Sequence, residues 1–298
     1  MRIFVTGASG HIGSLVVREL LDNGHQVSGL ARSDASAESL TAAGAQVVRG
    51  TLDDLDVLAR AAGDADGVIH LAFKHDFADY AGAAVSDLQA VEAMGAALGG
   101  SGKPFVNTSG TAMLATGSSS ELGTEETHVD PSGARVASEN ATLALAGHGV
   151  RASVVRLAPT VHGPTDHHGF VPTLITNART TGQALYIDDG ANRWPAVHNV
   201  DAARLYRLAV ESAPAGSVLH GAAEQGVPFR EIAQVIGAQL AVPAVSVSLE
   251  QATEQLGFIG WVASLDNPTS SVLTQQLLGW TPEHPTLLDD LKTGAYFV

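Results

Sequence analysis

The chain has 298 residues and a mass of 30.6 kDa, with 45% hydrophobic and 16% charged residues and a mean hydropathy of +0.13. That balance excludes a disordered polypeptide, and the length suits one large α/β unit or a nucleotide-binding domain with a smaller appendage. A formal charge of −15 repels nucleic-acid backbones and anionic lipid, and cysteine is absent, which excludes disulfides, thiol catalysis and zinc–cysteine sites.

No stretch reaches the roughly 18 uninterrupted apolar residues of a membrane span, so neither membrane nor nucleic acid is expected as a partner. Met1 to Val5 runs directly into a glycine-rich turn and leaves no room for a signal peptide, so a cytoplasmic protein is expected.

In chain order, strands are predicted at 3–5, 26–30, 46–49, 67–72, 104–108 and 152–157. Helices are predicted between them at 12–23, 37–43, 55–62, 79–98 and 132–147. Short, nearly continuous apolar strands alternating with helical patterns mean βαβ units and a parallel sheet covered on both faces. The expected class is α/β, a Rossmann-type doubly wound parallel sheet with a smaller C-terminal substrate lobe. Residues 1–160 form the dinucleotide-binding domain in this reading, and a helix at 200–212 and a strand at 217–222 return the chain to it over about 196–224. Residues 161–195 and 225–298, with helices at 229–240 and 249–256, form the lobe. The small polar stretch 112–127 reads as a mobile loop.

Thr6-Gly7-Ala8-Ser9-Gly10-His11-Ile12-Gly13 lies between the first strand and the first helix. Gly7 permits the tight turn, Gly10 lets backbone approach a pyrophosphate, and Gly13 allows close helix–strand packing. With strand, turn and helix all in place, the pattern predicts a dinucleotide. The second strand ends in Leu30-Ala31-Arg32-Ser33, where an acidic residue would select NAD through its ribose hydroxyl. Arg32 and Ser33 instead suit a 2′-phosphate, so NADP(H) is preferred, with NAD(H) as the alternative that Asp34 would favour.

These residues resemble the extended and atypical short-chain dehydrogenase/reductase superfamily, including its NAD(P)-dependent epimerase/dehydratase branch. The resemblance rests on Thr6–Gly13, on Val68-Ile69-His70-Leu71-Ala72 and on Asn107-Thr108-Ser109. It continues with Arg156-Leu157-Ala158-Pro159 and Val197-His198-Asn199-Val200-Asp201. It implies cofactor contacts from Gly7, Ser9, Gly10, His11, Ile12 and Gly13 at the turn and from Arg32 and Ser33 at the 2′-position. Leu52, Leu71, Ala72, Phe73 and Lys74 would follow on the adenine and ribose side, with Thr108, Arg135, Pro159 and Thr160 toward the nicotinamide. Ser109 would hydrogen-bond the substrate oxygen.

The superfamily's tyrosine, with a lysine four residues later, has no counterpart here. None of Tyr80, Tyr186, Tyr206 and Tyr296 precedes a lysine at that spacing, and no tyrosine or lysine lies between Ser109 and Val150. Pro131 and Arg135 stand at that place in the sequence. Arg135 can bind ribose hydroxyls and supply charge without shuttling protons.

Among the remaining candidates, His162 is the expected proton donor, from its near-neutral titration and its loop position. Lys74, His75, Asp76 and Tyr80 are the alternatives. Asp166, His167 and His168 are adjacent loop residues with no spaced third ligand, so no metal site is expected. Trp194, Trp261, Phe170, Phe258 and Trp280 form either an apolar substrate wall or the core of the lobe.

The expected activity is NADPH-dependent hydride transfer to a small carbonyl or related C=X substrate. Two alternatives are a non-catalytic NAD(P)-binding sensor similar to NmrA-like proteins and a nucleotide-sugar epimerase or dehydratase. The helices at 79–98 and 132–147 match those that pair in dimeric relatives and point to a homodimer, with burial inside one subunit as the other reading.

Overall fold

The computed structural model describes residues 1–75, 79–116, 121–131, 133, 135–293 and 295–297. The first six strands are β1 (Arg2–Thr6), β2 (Gln26–Ala31), β3 (Gln46–Arg49), β4 (Gly67–His70), β5 (Pro104–Gly110) and β6 (Arg151–Leu157). They are followed by β7 (Thr160–His162), β8 (Ala184–Ile187), β9 (Arg193–His198), β10 (Ser217–Gly221), β11 (Glu224–Pro228) and β12 (Ala244–Val247). Seven of these form one sheet in the order β10-β6-β5-β4-β1-β2-β3, every neighbouring pair parallel. The chain moves outward from β1 through β3 and then crosses back to β4. That reversal opens a crevice beyond the carboxyl ends of β1 and β4, where ligands of such sheets bind.

Apolar residues of the strands go to both faces. On one face α1 (Gly13–Asp22) buries Val16, Val17 and Leu20 against Ile3, Val5 and Ile69. On the other, Leu58 of α3 (Leu55–Asp64), reached through α2 (Asp34–Ala42), packs with Phe4, Val68 and Phe105. The same cluster takes Val91 and Met94 from α4 (Tyr80–Leu98), with Leu145 beyond α5 (Val136–Ala144). At about 25 cal/mol per Å² of buried apolar surface, these two layers supply the main stabilising term of the sheet.

A third apolar cluster lies outside the sheet. It joins Ile175 of α6 (Phe170–Thr181) and, past α7 (Asn199–Ser212), Phe229 and Ile232 of α8 (Phe229–Leu240). Ala252 of α9 (Leu249–Leu256), Val262 of α10 (Phe258–Val262) and Leu287 of the C-terminal helix complete it. This part also carries two small sheets, β11-β9-β7 and β12-β8.

The α/β class and doubly wound sheet agree with expectation, whereas several boundaries differ. β4 stops at His70 because the amides of Leu71 and Ala72 turn to the Thr6 hydroxyl, each at 3.2 Å. β5 continues to Gly110, pairing Ser109 with Arg156, so Ser109 belongs to the strand. The predicted 132–147 helix is α only over Val136–Ala144 and tightens to a 3-10 turn at Leu145–His148. Gly149 ends it at φ 72, a left-handed conformation that glycine adopts without strain.

The 112–127 stretch is not a free loop where it is described. Thr111–Thr116 form a 3-10 helix, and Gly123 bonds Pro268 and Ser270 through its backbone, each at 2.8 Å. Glu125 is buried and accepts from the amide and hydroxyl of Thr274 at 2.7 and 2.6 Å.

Candidate active site

The glycine turn is shaped by exclusion. A Cβ on Gly13 would lie 2.0 Å from the Gly7 carbonyl oxygen, and one on Gly7, at φ +67, would strike the Ala72 amide nitrogen at 2.8 Å. Both positions therefore need glycine, and the turn packs directly on the end of β4. Ser9 and Gly10 remain exposed at the rim, where backbone amides can meet an anion.

His11 ties the turn to the far side of the crevice. Its Nε2–H donates to the Val161 carbonyl at 2.8 Å, and its Nδ1 lies 3.0 Å from the Thr165 hydroxyl. The turn, the end of β4 and the β6–β7 corner at Pro159 and Thr160 are thus brought to one place. Thr160 is 2% exposed, and its hydroxyl has no hydrogen-bond partner among the described residues.

At the outer end, Arg32 and Ser33 are exposed, and Ser33 caps α2 by accepting from the Ser36 amide at 3.2 Å. Leu52 is buried in the apolar layer beneath, with Ala72 packed against the same layer. Lys74, expected near the cofactor and as an alternative acid, is held by both Asp53 oxygens at 2.7 and 2.8 Å and by Ser86 at 2.9 Å.

A buried polar chain runs beneath the crevice. The Thr6 hydroxyl lies 2.6 Å from His70 Nδ1, and His70 Nε2 lies 3.2 Å from Asp87 Oδ1. Because Thr6 Oγ1 already accepts two amides, its proton goes to Nδ1, which leaves Nε2–H to donate to Asp87. Asp87 Oδ2 then faces the Arg135 guanidinium at 3.7 Å. Burial pushes the Asp87 carboxyl up, but the hydrogen bond and charge of His70 and the charge of Arg135 outweigh it, and the group stays below its ordinary range. His70 and Asp87 were not singled out as site residues from sequence. A histidine inside an apolar strand and an aspartate on the inner side of an alanine-rich helix were the available signals.

Arg135 sits where the crevice and this chain meet. Its Nη2 donates to the Thr108 carbonyl at 2.8 Å, and its guanidinium carbon lies 4.2 Å from the centre of the Phe73 ring. Ser109, one residue beyond Thr108, is 3% exposed and donates its hydroxyl to the soft Met113 sulfur at 3.7 Å, a weak bond that a carbonyl oxygen can displace. Phe73 contacts His75 and Tyr80 at centroid separations of 5.6 and 5.7 Å. Tyr80 stacks on Phe258 at 6.0 Å, and Phe258 meets Trp261 at 5.6 Å. Pro131, on the segment preceding α5, lines a separate open groove with Glu126, His128 and Asn140.

His162 does not stand on a cofactor-facing loop. It ends β7, its ring is 1% exposed, and Nδ1 lies 3.0 Å from Asp290, with the His198 ring edge-on at 5.4 Å. A side chain so enclosed orders β7 against the C-terminal helix and cannot meet a substrate. Asp166 likewise turns inward, bonding the Gly169 amide and the Tyr296 hydroxyl at 3.0 and 2.9 Å. Asp76 lies outside the described residues. Among the described residues no cluster of three metal-ligating side chains occurs.

The aromatic residues divide. Trp194 packs with Phe170 and Phe229 inside the third cluster, whereas Trp280 is buried with the sheet core and donates to the Asp201 carbonyl at 2.9 Å. Phe258 and the 43%-exposed Trp261 join Tyr80 at the crevice.

A seven-stranded doubly wound sheet with a glycine turn at its switch point defines a dinucleotide-binding fold. The sequence matches the NAD dependent epimerase/dehydratase family over residues 3–220, and the chain belongs to that family.

It is 52% identical over 298 residues to the Schizosaccharomyces pombe protein "Uncharacterized protein C2A9.02", covering 100% of each chain. It is 32% identical over 267 residues to 2'-dehydrokanamycin reductase of Streptomyces kanamyceticus, covering 86% of this chain and 72% of that one. The fold is similar to that of dTDP-glucose 4,6-dehydratase DesIV from Streptomyces venezuelae, solved with NAD and TYD bound, at a TM-score of 0.77 and 22% identity over 98% of this chain and 95% of that one. The protein is an NAD(P)-dependent oxidoreductase of the short-chain dehydrogenase/reductase type. No helix among the described residues is long and apolar enough to cross a membrane.

Proposed function

We propose that this protein is an NADPH-dependent reductase of a small carbonyl compound. The observation that carries the reading is that Arg135 donates to the Thr108 carbonyl, next to Ser109 at the end of β5, while the glycine turn packs against the neighbouring end of β4. Bare backbone at Gly7, Gly10 and Gly13 would hold the pyrophosphate, with Ser9, His11 and Ile12 around it and Leu71, Ala72 and Phe73 along the wall. Thr160, Pro159 and Thr108 would face the nicotinamide, and Arg32 and Ser33 would hold the 2′-phosphate. The bound reduced cofactor supplies the hydride.

The chain's own groups then polarise the carbonyl. Ser109 donates its hydroxyl to the substrate oxygen, and Arg135, fixed by Thr108 and Asp87, adds positive charge where the oxygen gains electron density. Phe73, Phe258 and Trp261 give that end an apolar, aromatic wall. The 2'-dehydrokanamycin reductase relationship supports reduction over epimerisation. A homodimer through α4 and α5 is part of this reading, supported by the exposed Val85 on the alanine-rich α4.

The test is calorimetric titration with NADPH and NADH, followed by absorbance of the reduced nicotinamide with ketones, aldehydes, imines and enones. NADPH binding with oxidation by at least one compound is expected. Binding without turnover across the panel would favour a sensor, and no binding of either cofactor would overturn the site.

A further inference from the structure

Reduction at this site needs a proton for the developing alkoxide, and neither His162 nor Lys74 is available to give one. Tyr80 is. It is the first residue of α4, and Asp79 fixes it there by accepting the Gly82 amide at 3.0 Å. The Tyr80 ring is then held between Phe73 at 5.7 Å and Phe258 at 6.0 Å, on the same Phe73 ring that carries the Arg135 guanidinium.

We propose that Tyr80 is the proton donor to the substrate's carbonyl oxygen, with Arg135 facing the tyrosinate that results. The proposal rests on the reductase reading above. In the step, the carbonyl carbon gains hydride from the reduced nicotinamide dinucleotide, which leaves oxidised. The carbonyl π pair moves onto oxygen and takes the Tyr80 proton, giving an alcohol, and the tyrosinate recovers a proton from solvent.

The electrostatics suit this assignment better than one to His75. Burial raises the Tyr80 hydroxyl and keeps it protonated, while the positive charge of Arg135 works in the opposite direction and favours the anion. His75 is driven down by burial and then by Arg135, so near neutral pH it is an uncharged imidazole and a poor acid. Tyr80 thereby supplies what a tyrosine near Arg135 in sequence would have supplied, from a different helix.

The experiment uses the full chain and the best carbonyl substrate in the panel, with an aryl ketone included because Tyr80, Phe258 and Trp261 form a run of aromatic rings. Tyr80→Phe is expected to lower kcat by about 100-fold or more, the scale of a lost general acid, and to leave NADPH affinity within about twofold. His75→Asn is expected to change kcat by less than about fivefold.

A second readout needs no turnover. With tyrosine labelled at its ring carbons, the resonance lost in Tyr80→Phe identifies Tyr80, and Arg135→Met is expected to shift its titration to higher pH. Retention of turnover by Tyr80→Phe, or a Tyr80 titration indifferent to Arg135, overturns the proposal while the reductase reading stands. Wild-type protein that binds NADPH but reduces nothing overturns both.

Discussion

Arg49 of β3 donates to the Asp34 carboxylate at 2.7 Å, across the surface where β2 gives way to α2. Asp34 is the one residue in this turn that could accept from a ribose 2′-hydroxyl and repel a 2′-phosphate. Its engagement leaves Arg32 and the capped N-terminus of α2 to set the charge at that point. Arg32→Ala is expected to weaken NADPH binding about 10- to 100-fold, the scale of a charge-assisted hydrogen bond, with NADH affinity nearly unchanged. Arg49→Ala, by releasing Asp34, is expected to move the preference the same way by a smaller factor. Fluorescence titration of both cofactors measures each effect, and an equal loss for NADPH and NADH would refute a 2′-phosphate contact.

Asp87 is 1% exposed and stands between His70 and Arg135, so its removal leaves a guanidinium without its carboxylate. Asp87→Ala is expected to destabilise the fold by about 3 kcal/mol and to weaken cofactor binding through a displaced Arg135. Asp87→Asn keeps an acceptor for His70 and should cost less. Urea unfolding at neutral pH gives both values, and a loss below about 0.5 kcal/mol for alanine would show that the chain beneath the crevice is not coupled.

The parallel sheet and the glycine turn were readable because each is set locally. The continuous apolar run at 3–5 marks a strand buried on both faces, and Gly13 is dictated by the nearby Gly7 carbonyl, whereas the contact that excludes a side chain at Gly7 comes from Ala72 beyond the end of β4. The enclosure of His162 is not legible locally, because nothing near it announces that a residue 128 positions later, Asp290, closes over its ring. Glu125 in the 112–127 stretch is pinned by Thr274 in the same long-range way. The division of Trp194, on β9, from Trp280, in the segment after residue 278, depends on which cluster each segment joins, which hydrophobicity alone does not specify.

Arg156 and Glu139 pair at 4% and 1% side-chain exposure, with Arg156 Nε 3.2 Å from each carboxylate oxygen. Arg156 also donates to the Thr127 carbonyl at 3.2 Å, fastening the segment ahead of α5. Arg156→Met strands a buried carboxylate and is expected to destabilise by about 3–5 kcal/mol, whereas Arg156→Met with Glu139→Leu should recover most of that loss. A double-mutant cycle from urea unfolding decides the matter. Additive single losses would mean the two side chains are energetically independent.

His198 links the fold to pH. It accepts the Val200 amide through Nδ1 at 3.2 Å as the cap of α7, so its neutral form carries the proton on Nε2. The ring is 5% exposed, stacked on His284 at 4.7 Å and edge-on to His162. Burial first, and then the His162 and His284 rings, push it down to about 4, against the opposing pull of Asp290 and Asp201. Because the unfolded chain binds this proton at a higher pH than the folded one, the contribution is complete above about pH 6.5 and is lost as pH falls toward 4. At pH 5 the loss amounts to about 2 kcal/mol. His198→Asn preserves a capping acceptor and removes the titration. Urea unfolding at pH 7.5 and pH 5.0 should therefore show a smaller decline for the asparagine variant than for the wild-type protein. Equal declines would place the acid sensitivity elsewhere, with the buried Asp87–His70 pair as the next group to replace.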